Sequence, residues 1–142
     1  MDKKRVLTFQ SPAFEREVRL ELGIYNREIT VEDAEKALEL DLWEIYLSEE
    51  DTETLCYFKN LRILSVHSAW IEDQSFWNHF PKLEELDWQF RSCAEQISME
   101  MFSGLSKLEY LYLSGGDLSY TRLVDLEALK NLPKGVKLEV EC

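Results

Sequence analysis

Four residues able to do acid–base or metal chemistry sit in or just after short leucine-rich runs: Asp41 in "LELDL", His67 after "LRILSV", and Glu85 and Asp87 in "LEELDW". Carboxylates on neighbouring parallel strands would be close enough to perturb one another's protonation. A carboxylate pair beside an imidazole can serve general acid–base hydrolysis or hold a divalent cation. One functional reading is therefore a metal-dependent or acid/base hydrolase using Glu85, Asp87 and His67. Against it, the sequence contains no HExxH and no EF-hand loop, and two acidic residues on a solvated face usually do no chemistry. "SGGD" at 114–117 reads as a turn, since no Lys or Ser/Thr follows in P-loop order. Cys56, Cys93 and Cys142 are odd in number with no CxxC pair, which suits free thiols in a reducing compartment, Cys142 being an incidental tail thiol. No cofactor is expected.

The elements that must position these residues come from a repeat. "LRILSV" begins at 61, "LEELDW" at 83 and "LEYLYL" at 108. Counting each start as position 1, residues at positions 1, 4, 6 and 11 are Leu61, Leu64, Val66 and Ile71; then Leu83, Leu86, Trp88 and Cys93; then Leu108, Leu111, Leu113 and Leu118. A weaker copy starts at 37 with Ala37, Leu40, Leu42 and Leu47, and a half-copy at 135 supplies Leu138 and Val140. Apolar pairs also precede each start by six and three residues: Leu55 and Phe58, Trp77 and Phe80, Phe102 and Leu105, Leu129 and Leu132. A strand with two or three inward residues cannot bury its face alone, whereas strands stacked in parallel make a continuous core and a curved solenoid. The six-and-three spacing suits a short helix or 3₁₀ turn on the opposite, convex side. The pattern L-x-x-L-x-L-x-x-x-x-L resembles the leucine-rich repeat. Position 9, usually Asn or Cys in that family, is here Ile45, Ala69, Arg91 and Gly116.

Residues 6–42 do not repeat. Ser11 as N-cap, Pro12 at the first helical position and Gly23 as the stop predict a helix from Pro12 to Leu22, with Phe14, Val18 and Leu22 as its apolar stripe. Thr30 to Asp33 reads as a capping box opening a second helix. Pro12, Phe14, Glu15, Val18, Arg19, Leu22, Gly23, Ile29, Thr30, Glu32 and Asp33 resemble the helical N-terminal cap of bacterial internalin-type leucine-rich repeat proteins. The expected fold is thus an α/β solenoid: a short parallel sheet on the concave face, short helices and turns on the convex face, and a helical N-terminal cap. Residues 1–142 are expected as one domain, with the cap at 1–36 and about four and a half repeats starting at 37, 61, 83, 108 and 135. A cap covers the apolar face and edge that the first strand would otherwise leave open. Charged Lys137, Glu139 and Glu141 blunt the last strand in another way.

Positions 3, 5 and 7 alternate out onto the concave face. They are Glu39, Asp41 and Trp43; Ile63, Ser65 and His67; Glu85, Asp87 and Gln89; Tyr110, Tyr112 and Ser114; and Lys137, Glu139 and Glu141. Tyr46, Trp70, Phe90 and Asp117 follow in the loops just beyond. Repeat proteins generally bind on this surface, and exposed Trp and Tyr are typical anchors of interfaces. The alternative for Trp43, Trp70 and Tyr112 is lateral packing that serves only stability. Trp88, Trp77, Phe58, Phe80 and Phe102 are expected in the core.

The formal net charge of −12 argues against nucleic acid or an anionic membrane as the main partner and suits a basic protein, although acidity also simply favours solubility. No apolar h-region follows the basic N-terminal residues and no stretch approaches a membrane span, so a cytoplasmic location is expected. The resulting expectation is a monomeric, non-catalytic module that binds a basic or amphipathic protein, for example as an inhibitor of the immunity type. Self-assembly through the last strand is a further alternative.

Overall fold

Alternating leucines drive each repeat start into an extended strand with one face turned inward, and the strands stack in parallel. The computed structural model describes residues 2–67, 76–90, 96–115, 122–131 and 137–141. Its strands are β1 (Glu39–Tyr46), β2 (Ile63–His67), β3 (Glu85–Phe90), β4 (Gln96–Ser98), β5 (Tyr110–Gly115), β6 (Arg122–Val124) and β7 (Lys137–Glu141). Five form one parallel sheet in the order β1-β2-β3-β5-β7, leaving β1 and β7 at its two edges. The register follows the repeat: Leu40, Leu64, Leu86, Leu111 and Leu138 align, as do Val66, Trp88, Leu113 and Val140.

The core lies between this sheet and the returns. Leu61, Leu64, Val66, Leu83, Leu86, Leu108, Leu111 and Leu113 are buried, together with Leu55, Phe58, Trp77, Phe80, Phe102 and Leu105 from the returns. Trp88 takes an inward position that smaller residues fill in the other repeats. It is accommodated by an aromatic cluster, with Trp77 at 5.4 Å and Phe102 at 6.3 Å between ring centroids. The Trp77 indole N–H donates to Met101 Sδ at 3.3 Å, so its polar atom is not stranded in the core. The first return is an α-helix, αC (Glu49–Leu55), capped by Ser48, and the later ones are 3₁₀ turns at Phe76–His79, Met99–Phe102 and Leu126–Asn131. A second, two-stranded parallel sheet pairs β4 with β6, which the leucine spacing does not announce.

The N-terminal segment forms the cap through the devices its sequence carries. The first helix, here αA (Pro12–Leu22), starts on the Ser11 hydroxyl and ends at Gly23, whose φ of 68° is the left-handed conformation that glycine takes at low cost. A short helix, αB (Val31–Ala34), begins with a complete Thr30/Asp33 capping box. The Arg27 guanidinium forks onto both Asp33 oxygens at 2.7 and 2.9 Å and holds that carboxyl well below the usual range. Phe14 and Val18 of αA are fully buried, and Leu22 packs half-buried against the same core. Asp51 of αC accepts from the Gln10 and Ser11 N–H groups at 2.8 and 2.9 Å, tying the start of αA to the first return.

Candidate functional site

Register across the sheet assembles the outward residues into rows. Glu39, Ile63, Glu85, Tyr110 and Lys137 form one, and Asp41, Ser65, Asp87, Tyr112 and Glu139 the next. Gln89 and Ser114 continue from His67, with Glu141 at the far end. Glu39, Asp41 and Glu85 are exposed, whereas Ile63, Ser65, His67, Asp87, Gln89, Tyr110, Tyr112 and Ser114 are half-buried. For Phe90, Lys137, Glu139 and Glu141 the backbone position alone is described. Trp70, Ile71, Cys93, Asp117, Leu118, Leu132 and Cys142 lie outside the described residues, as do Ala69, Arg91 and Gly116 at position 9.

The row through His67 begins differently from the expectation. Pairing between β1 and β2 breaks after Asp41 and resumes at Tyr46, so Tyr46, not Trp43, stands opposite His67. Three extra residues, 43–45, are accommodated in β1, and Glu44 takes a positive φ of 63° to do so. The Trp43 N–H donates to Asp41 Oδ1 at 3.1 Å inside this irregularity. Its consequence is two large exposed aromatics at one end of the face, Trp43 at 42% and Tyr46 at 45%. The Tyr46 ring meets His67 edge-on at 5.3 Å. Ile45, at position 9, packs half-buried against the core instead of serving a turn.

At the centre of the face stands Asp87, on the middle strand of the five. Its Oδ1 is sealed from solvent and has no hydrogen-bond partner among the described residues. Burial, and then the negative charge of Asp41, push the Asp87 carboxyl up to about 6. The two aspartates share a row and are separated by Ser65, which has a small side chain. An unsatisfied buried carboxylate oxygen costs on the order of 1–3 kcal/mol until something donates to it. A cationic N–H donor entering from solvent would satisfy that oxygen and relieve the repulsion from Asp41 in one step.

Glu85, Asp87 and His67 do come to one face, on adjacent strands. Among the described residues, however, no group of three or more His, Cys, Asp or Glu is placed to hold a metal ion. A separate cavity of about 540 Å³ lies against αC, lined by Arg5, Gln10, Glu53, Cys56, Tyr57 and His79 among others. Its Cys56 thiol is pushed up to about 11 by burial and then by Glu53, and donates to the Thr52 carbonyl at 3.6 Å, so it is a poor nucleophile. Sequence reasoning missed Tyr46 as a member of the His67 row, because the offsets of Ala37, Leu40, Leu42 and Leu47 match those of an uninterrupted repeat.

No family model and no curated protein matches the chain. Among solved structures it is similar to the internalin inlF of Listeria monocytogenes, with a TM-score of 0.57 and 18% identity over 89% of this chain; the chain spans 37% of that protein's length. It is also similar to internalin C2 of the same organism, with a TM-score of 0.44 and 13% identity over 94% of each chain. The first likeness and the parallel sheet together show an internalin-like leucine-rich repeat fold. Among the described residues, no helix is long and apolar enough to cross a membrane.

Proposed function

We propose that this chain is a non-catalytic protein-binding module whose concave face takes a basic or amphipathic partner. The observation that carries this reading is Asp87, whose buried carboxylate oxygen has no partner among the described residues and lies in a row with Asp41. Glu39, Asp41 and Glu85 around it supply long-range attraction for a cationic surface, and Tyr46, Trp43, Tyr110 and Tyr112 supply anchoring area. The partner places a Lys or Arg between Asp41 and Asp87. The module works as one domain, capped by residues 1–36 and built on repeats starting at 37, 61, 83, 108 and 135. It acts as a cytoplasmic monomer that masks a basic protein surface, as an immunity-type inhibitor does.

The test is capture from source-cell lysate with the wild-type chain beside an Asp41→Lys/Glu85→Lys/Asp87→Lys variant, eluted in salt steps. A protein retained by the native chain, lost from the variant and released by salt is the expected result. If both baits return the same proteins, the acidic face is not the binding surface. The hydrolase reading rests on the same raised carboxyl, on the strand next to that of His67. It would gain if Asp87→Asn abolished a hydrolytic activity of the purified chain without altering its fold.

A further inference from the structure

Among the described residues, the starts of β2, β3 and β5 are each bonded in the same way to the neighbouring strand before them. The Arg62 and Ile63 N–H groups both donate to the Leu38 carbonyl, at 2.7 and 3.2 Å. Those of Glu84 and Glu85 donate to the Arg62 carbonyl at 2.8 and 3.0 Å, and those of Glu109 and Tyr110 to the Glu84 carbonyl at 2.7 and 3.0 Å. In repeat positions, the N–H groups of residues 2 and 3 converge on the carbonyl of residue 2 one repeat earlier. This three-centre contact recurs at three successive junctions, β1 to β2, β2 to β3 and β3 to β5.

The first repeat has the same two N–H groups, those of Leu38 and Glu39, and β1 has a strand partner on one side only. Both N–H groups nevertheless converge on one oxygen. Glu21 Oε2, from the last turn of αA, accepts from Leu38 at 2.9 Å and from Glu39 at 3.1 Å. The helix thus supplies a side-chain oxygen where β2, β3 and β5 each find a backbone oxygen. A carboxylate is a stronger acceptor than a carbonyl and brings a charge to the edge. Further along, the Trp43 N–H is taken by Asp41 Oδ1, so a second carboxylate works on the same strand. Edge strands with free N–H groups template pairing with other chains, and charge with local satisfaction of those groups removes the template.

We propose that the Glu21 carboxylate stands in for the backbone carbonyl of a preceding repeat and closes the sheet at β1, so that a strand from another copy of this chain is refused there. This device is independent of what binds the concave face. It makes the end of αA a terminator of the repeat array as well as a cover for the core.

Amide hydrogen exchange and sedimentation on the whole chain test it, comparing wild type with Glu21→Ala and Glu21→Gln. In the wild type the Leu38 and Glu39 amides exchange slowly, in the manner of Ile63 and Glu85. Glu21→Ala accelerates both by about tenfold or more while leaving Ile63 and Glu85 unchanged. Glu21→Gln, which keeps an acceptor oxygen, gives a smaller acceleration. Glu21→Ala also self-associates at lower concentration than either of the others. Exchange of Leu38 and Glu39 at unstructured rates in the wild type, or no change in Glu21→Ala, overturns the stand-in. Accelerated exchange with a mass that stays equal to wild type at every concentration overturns the closure. Should Glu21→Ala fail to fold, wild-type protection and the graded effects of Glu21→Asp and Glu21→Gln decide both points by the same readouts.

Discussion

Asp87 combines two features that rarely serve stability, a sealed carboxylate oxygen without a donor among the described residues and a second carboxylate, Asp41, in the same row. Its carboxyl, raised to about 6, lies above the value near 4 that it has in an unfolded chain. Between these values the folded state holds the proton more tightly, so the penalty is absent below about pH 4, grows as the pH rises, and is complete above about pH 6. Asp87→Asn is therefore expected to raise stability above pH 7 by roughly 1 kcal/mol, solvent screening included, and to make no difference near pH 4. Urea unfolding at a series of pH values checks the sign. Carbon NMR of the Asp87 carboxyl should show an apparent midpoint near 6, falling in Asp41→Asn; an ordinary midpoint in the wild type would remove the argument. A substitution that stabilises the fold while abolishing capture of the partner would mark Asp87 as a binding residue held at the expense of stability.

Among the elements, β1 departs most from the repeat. Its inward Leu40 and Leu42 are buried like Leu64 and Val66, Leu86 and Trp88, and Leu111 and Leu113, and Leu47 is buried at position 11. Between them, residues 43–45 add length that β2 does not match, and the left-handed Glu44 absorbs it. A non-glycine residue in that conformation carries about 1 kcal/mol of strain, which glycine does not. Glu44→Gly is accordingly expected to stabilise the chain by up to about 1 kcal/mol, or to be neutral where the added unfolded-state entropy of glycine offsets the relief. A loss of more than about 1 kcal/mol in thermal or urea unfolding would mean that the Glu44 side chain itself holds the irregularity. The alternation of leucines makes the other strands of the five-stranded sheet legible, because period two along a half-buried strand leaves no choice of face. The irregularity in β1 was not legible, since its outer positions carry no apolar signal.

For the whole molecule, the cap and the repeats are joined by a buried polar contact as well as by the shared core. Asp51 is 1% exposed and its two oxygens hold the Gln10 and Ser11 N–H groups, 41 and 40 residues away in sequence. Asp51→Ala leaves both donors without that acceptor, an expected loss of about 2–4 kcal/mol. The chain should still unfold in one transition, with amides of αA and β2 exchanging by the same global opening. If the variant instead shows early loss of αA with β2 still protected, Asp51 is what couples the cap to the sheet.

Much of this architecture was legible in the chain itself. Leucine offsets marked the strands of the five-stranded sheet and, apart from the end of β1, their register, and Ser11, Gly23 and the Thr30/Asp33 pair marked the cap helices, because capping and alternation are local physics expressed over a few residues. The outward rows followed from the same count. Tertiary structure alone decided that Tyr46 replaces Trp43 beside His67, that β4 and β6 pair, that Asp51 reaches the start of αA, and that Glu21 completes the hydrogen bonding of the first strand. Each of those depends on which distant backbone groups are left unsatisfied once the strands have stacked. Polar side chains are recruited to such groups by proximity in space, and no periodicity in the sequence records that.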